Sequence, residues 1–84
     1  MRLDKFLKVS RLVKRRTLAK EVAEVGRVLV NGKVAKPASE VELGDRITLD
    51  YGSRQVVVEV LEVRESSRAG EAKEMFRVLE ERRG

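Results

Sequence analysis

The apolar positions of the chain change period twice, and those changes divide it into elements. In residues 2–9 (RLDKFLKV), Leu3, Phe6 and Leu7 share one side of a helical wheel, and Arg2, Lys5 and Lys8 share the other. Spacings of three and four predict a short amphipathic helix with a cationic outer face. Residues 17–25 (TLAKEVAEV) repeat the pattern, with Leu18, Ala19, Val22 and Ala23 inward and Lys20, Glu21 and Glu24 outward. Thr17 stands at the expected N-cap and Gly26 just past the last turn, so both ends of this second helix are marked. Between the helices lies SRLVKRRT (10–17), with four basic residues and no acid. It leads into a helix N-terminus, where free N–H groups and the helix dipole already favour an anion.

After Gly26 the period becomes two. Val28 and Val30 share a face in RVLVNGK, which closes on Asn31-Gly32. Both residues accept the positive φ of a type I′ turn, so a hairpin is expected. Pro37 interrupts the next stretch and LGD (43–45) marks another turn. Alternation resumes with Ile47, Leu49 and Tyr51, then with Val56, Val58 and Val60 after a turn at Gly52-Ser53. The phase slips at Leu61-Glu62-Val63, as a bulge near Val60 would make it do. SSRAG (66–70) reads as a loop. Beyond it Ala72, Met75, Phe76 and Leu79 recur at helical spacing, with acids early and arginines late, which predicts a C-terminal helix over 71–83. Two helices, several short strands and a final helix make an α+β domain.

Charge sharpens this picture. The net charge is +5, but residues 1–36 balance at +8 and residues 37–84 at −3. A cationic half points to a field aimed at a polyanion. No apolar run is long enough to span a bilayer, and the N-terminus lacks a signal-peptide core, so the expected compartment is cytoplasmic and no membrane partner is expected. With no histidine and no cysteine, the commonest general base, thiol nucleophiles and the usual transition-metal ligands are missing. A chain of 84 residues is also too small to be expected to enclose a pocket of several hundred Å3. The expectation is a binding protein rather than an enzyme, with no cofactor and no metal. Phe6, Tyr51 and Phe76 each fit an apolar face, which leaves few rings for stacking and favours backbone and shape recognition of a folded RNA. Asp4, alone among the cations of the first twenty residues, has two readings: a carboxylate that orients Arg2 or Arg16, or a first-turn acid favoured by the dipole.

The blocks RLDKFL, SRLVKRRTLAKEVAEVGRVLVNG and GDRI, in this order and spacing, resemble the S-four RNA-binding domain. That resemblance implies an S-four-like fold, with two N-terminal helices on a small, mostly antiparallel sheet. The core would cover residues 1–64 of a single domain over 1–84, with the expected C-terminal helix appended. It also implies an RNA surface on the two helices and their joint. Carried over by position, the RNA-binding candidates are Arg2, Asp4, Lys5, Lys8, Arg11, Lys14, Arg15, Arg16 and, more weakly, Lys20. The whole chain is similar to the stand-alone members of the family that serve bacterial ribosome-associated quality control, the RqcP group. The implied role is a non-enzymatic, ribosome-associated factor that binds rRNA of the large ribosomal subunit and peptidyl-tRNA. It would support alanine tailing by the partner factor RqcH. A more distant similarity, to the small ribosome-associated heat-shock proteins, implies instead the recycling of large subunits that carry a blocked nascent chain.

Overall fold

The computed structural model describes residues 1–68 and 70–83. In chain order it has α1 (Leu3–Val9), α2 (Arg16–Glu24), β1 (Val28–Val30), β2 (Lys33–Val34), β3 (Arg46–Asp50) and β4 (Arg54–Val60). A 3-10 turn (Ala72–Met75) and β5 (Phe76–Arg83) follow. The strands form one antiparallel sheet in the order β2-β1-β3-β4-β5. Both helices and the alternating strands fall where the apolar periods put them, to within a residue or two at the ends.

The core joins the inward faces of the two periods. Leu3, Phe6 and Leu7 of α1 are fully buried with Ala19 and Ala23 of α2, against Val28, Ile47, Leu49, Val56, Val58 and Val60 of the sheet. Cross-strand partners such as Ile47 with Val58 and Leu49 with Val56 hold these residues on one face. Each large buried side chain contributes about 1.5–3 kcal/mol through removal from water.

Turn chemistry sets the connections. α2 ends in a Schellman motif: Gly26, at φ +81°, donates its N–H to the Ala23 carbonyl (3.2 Å), and Arg27 donates to that of Val22 (3.0 Å). Asn31 (φ +52°) and Gly32 (φ +83°) make the expected type I′ turn. The Asn31 side chain also accepts from the Arg46 amide at 2.9 Å and donates to Asp45 at 3.1 Å, which ties the hairpin to the start of β3.

Two expectations are corrected. The helix predicted over 71–83 does not form: a single 3-10 turn buries Ala72 and Met75, and β5 then pairs along β4 from Val60–Phe76 to Arg54–Arg83. Without β5, the seven residues of β4 would be an edge with unpaired backbone groups, and a lone helix of about a dozen residues is marginal in water. The sheet edge therefore overrides the helical spacing, and Phe76 is only half-buried while Leu79 is exposed. Thr17 does not cap α2; Arg15 occupies the N-cap position with no side-chain hydrogen bond, because its own carbonyl already accepts from Ala19 at 2.9 Å. The register of β4 against β5 shifts between Val57 and Val58, and beyond the end of β4 the amides of Leu61 and Glu62 both donate to the Met75 carbonyl at 2.8 and 3.2 Å. Ala69 of the predicted loop, and Gly84, lie outside the described residues.

Candidate nucleic-acid interface

The joint between the helices is a pinned turn. Ser10 caps α1, is buried, and donates its hydroxyl to the Leu7 carbonyl at 3.3 Å. Val13 is buried and donates its amide to the same carbonyl at 3.0 Å. The Tyr51 hydroxyl donates to the Leu12 carbonyl at 2.8 Å, anchoring the joint to the sheet. Arg11 turns the chain at φ +63°, where any residue other than glycine costs roughly 1–2 kcal/mol. Between these anchors Arg11, Lys14 and Arg15 are exposed, and none has an ion-pair partner among the described residues.

Asp4 joins the two helices electrostatically. Only 2% exposed, it accepts from Arg2 Nε at 3.2 Å and Nη2 at 3.1 Å, from Arg16 Nη2 at 3.4 Å and from the Lys5 amide at 2.8 Å. Burial alone would push its pKa up; the Arg2 hydrogen bond, the Arg16 charge and the Lys5 amide together hold the carboxyl below the usual carboxylate range. The side chains of Arg2 and Arg16 remain half exposed, so guanidinium edges not used by Asp4 face water. Both readings open for Asp4 in the sequence are present in the geometry: it is an acid in the first turn of α1, where it accepts the Lys5 amide, and its carboxylate also holds Arg2 and Arg16.

The two helix starts differ in what they leave free. At α1, Leu3 donates to Ser39 O (2.8 Å), Asp4 to Pro37 O (3.1 Å) and Lys5 to the Asp4 carboxylate, so its first amides are all occupied. At α2, the amides of Arg16, Thr17 and Leu18 have no acceptor among the described residues. An anion can reach them beside the Arg15 and Arg16 side chains.

Other candidates stand apart. Lys5 is ion-paired to Glu65, in the segment that leaves β4 and folds back over α1, where Ser67 donates to the Val9 carbonyl at 2.6 Å. Lys20 is 3.9 Å from Glu24 on its own helix. Lys8 is exposed on α1 without an ion-pair partner among the described residues. The arrangement thus brings together Arg2, Asp4 and Arg16, leaves Lys8, Arg11, Lys14 and Arg15 exposed without ion-pair partners among the described residues, and pairs Lys5 and Lys20 with carboxylates.

Residues 1–47 match the S4 domain, over half of the chain. The chain belongs to the S4 domain family. Over 81 residues it is 53% identical to the RQC P-site tRNA stabilizing factor of Bacillus subtilis, covering 96% of this chain and 94% of that one. Among solved structures, Vibrio cholerae Heat Shock Protein 15 superposes with a TM-score of 0.87 at 38% identity, covering 93% of this chain and 80% of that one. The solution structure of the hypothetical protein HP1423 gives 0.80 at 35% identity, covering 93% and 95%.

This S4 domain also has a feature that the sequence reading missed. Where the joint stands off the ends of β3 and β4, a groove of about 480 Å3 opens. It is a groove open to solvent, not an enclosed pocket. Arg27 and Arg54 line it, and neither was singled out in the sequence. The available signal was the spacing of Tyr51 and Arg54 across the Gly52-Ser53 turn, which puts the Arg54 guanidinium 4.8 Å from the Tyr51 ring centroid.

Proposed function

We propose that this S4-domain chain is a non-enzymatic RNA-binding factor of bacterial ribosome-associated quality control. It holds peptidyl-tRNA on obstructed large ribosomal subunits, contacts their rRNA and supports C-terminal alanine tailing by RqcH. The observation that carries the reading is the guanidinium pair locked by buried Asp4 beside the uncapped start of α2. Two oriented forks and three free amides suit neighbouring phosphates of a folded RNA backbone, which needs no stacking rings. The name of the Bacillus subtilis relative, a P-site tRNA stabilizing factor, supports the same assignment. In this reading Arg2, Lys8, Arg11, Lys14, Arg15 and Arg16 contact phosphates, Asp4 positions Arg2 and Arg16, and Lys5 and Lys20 contribute less.

The test is binding to a structured rRNA fragment over a range of salt. Six phosphate contacts predict a log–log slope of about −4 to −5.5. Replacing Arg16 by Ala reduces the slope by about one and weakens binding without unfolding the domain; an unchanged affinity removes Arg16 from the site. In cells, the tagged chain should co-purify with large subunits bearing tRNA. A recycling role is the second reading, favoured by the structural likeness to Heat Shock Protein 15. Loss of alanine tails on stalled chains after gene deletion supports tailing, and their persistence supports recycling.

A further inference from the structure

The groove between the helical joint and the sheet combines charge with an apolar floor. Arg11, Lys14, Arg27 and Arg54 supply its cations, against one lining carboxylate, Asp50. Asp50 is already engaged, accepting from the Gly52 amide at 2.7 Å. Leu18, Val22 and Leu49 line the floor beside the Tyr51 ring. Leu18 remains 46% exposed there, although its position on α2 matched the inward face. The groove volume of about 480 Å3 lies within the roughly 300–1,000 Å3 of small-ligand sites.

We infer that this groove is a subsite for one unstacked nucleotide of the bound RNA. The inference rests on the RNA-binding reading and deepens it. Three properties of the groove match a nucleotide. The cations answer a phosphate, with Arg27 exposed and without an ion-pair partner among the described residues. The floor answers the apolar faces of a base. The Arg54–Tyr51 pair offers a planar stack that a base can extend, held in place by the Tyr51 hydroxyl on Leu12 O and by Glu81 on Arg54 at 2.9 Å. Continuity gives the fourth reason. Arg11 and Lys14 belong both to the groove and to the joint, so a strand whose phosphates follow the joint reaches the groove without crossing uncharged surface. An acidic peptide would use the same cations but leave the floor and the stack without a partner.

Tyr51 is the single tyrosine of a chain without tryptophan, so its fluorescence reports on the groove alone. The full chain is titrated with an RNA hairpin bearing unpaired loop nucleotides, with the fully paired duplex of the same stem, and with hexaglutamate. The expected result is binding of both RNAs with quenching of Tyr51 by the hairpin only. Arg27→Ala should weaken hairpin binding about tenfold, as expected for one lost charge-assisted contact to the phosphate of the unstacked nucleotide, while duplex affinity stays the same. Tyr51→Leu should act in the same direction; because it also removes the anchor of the joint, exposed Arg27 is the deciding variant. A hairpin that binds without quenching, or with equal affinity for Arg27→Ala, overturns the subsite and leaves RNA binding intact. Quenching by hexaglutamate but not by the hairpin overturns it in favour of an acidic peptide. Absence of binding to either RNA overturns the RNA reading itself, and the subsite with it.

Discussion

Replacing Asp4 by Asn separates two explanations of the cationic surface, because they predict opposite signs. The substitution keeps the volume, removes one negative charge and raises the net charge above its present +5. If RNA affinity followed charge alone, the variant would bind more tightly. If the carboxylate acts by holding Arg2 and Arg16, the variant binds more weakly despite the added charge. Asn has one acceptor oxygen where Asp4 accepts from Arg2 Nε, Arg2 Nη2, Arg16 Nη2 and the Lys5 amide, and its amide group meets guanidinium donors. Both arginines must then be ordered when RNA binds, at about 0.5–1.5 kcal/mol each. The sum, about 1–3 kcal/mol, corresponds to roughly 5- to 150-fold weaker binding. The loss of charged hydrogen bonds also lowers stability by about 1–3 kcal/mol, allowing for the half-exposed arginines, and each kcal/mol lowers Tm by about 4–8 °C. Affinity is measured by fluorescence anisotropy on a labelled rRNA hairpin at a temperature where circular dichroism finds the variant folded. Equal or tighter binding by the folded variant refutes the positioning argument.

Arg11→Gly should move stability and affinity in different directions. It relieves the left-handed backbone at φ +63° but adds freedom to the unfolded chain, for a net change of about 0 to 1 kcal/mol in favour of folding, read by urea titration. RNA affinity should fall, because a cation is lost. Gly26→Ala, at φ +81° in the Schellman motif, should cost about 1–2 kcal/mol by the same titration, since a Cβ there is strained even with Val34 no nearer than 3.9 Å. In acid, the depressed pKa of Asp4 makes its stabilisation fully present above its unfolded value of about 3.9 and progressively lost as pH falls below that, through the lowered folded value. Thermal melts from pH 6 to 2 should therefore lose part of their pH dependence in Asp4→Asn; a wild-type slope in the variant assigns the acid transition to other carboxylates.

The parts of this domain that follow from local rules were legible in the chain. Spacings of three and four place α1 and α2, alternation places β3 and β4, and Asn31-Gly32 makes its turn because both residues tolerate positive φ. The cationic joint was visible as well, since a run of Lys and Arg without acids has few ways to be buried. Other features required contacts between residues far apart in sequence. Helical spacing over 71–83 gave way to β5 because β4 offered an open edge, which no local window contains. Lys5 resembles Lys8 in sequence but is half-buried and meets Glu65, sixty positions away. The groove exists because Tyr51 holds Leu12 at 2.8 Å and so fixes where the joint stands over the sheet. Sequence alone thus determined which segments of residues 1–60 become helix or strand and where positive charge collects, because periodicity, turn propensity and charge are properties of neighbouring residues. Tertiary structure decided which cations stay unpaired, which arginines share Asp4 and where a groove opens, because burial, edge pairing and Coulomb attraction act between residues that only the folded chain brings together.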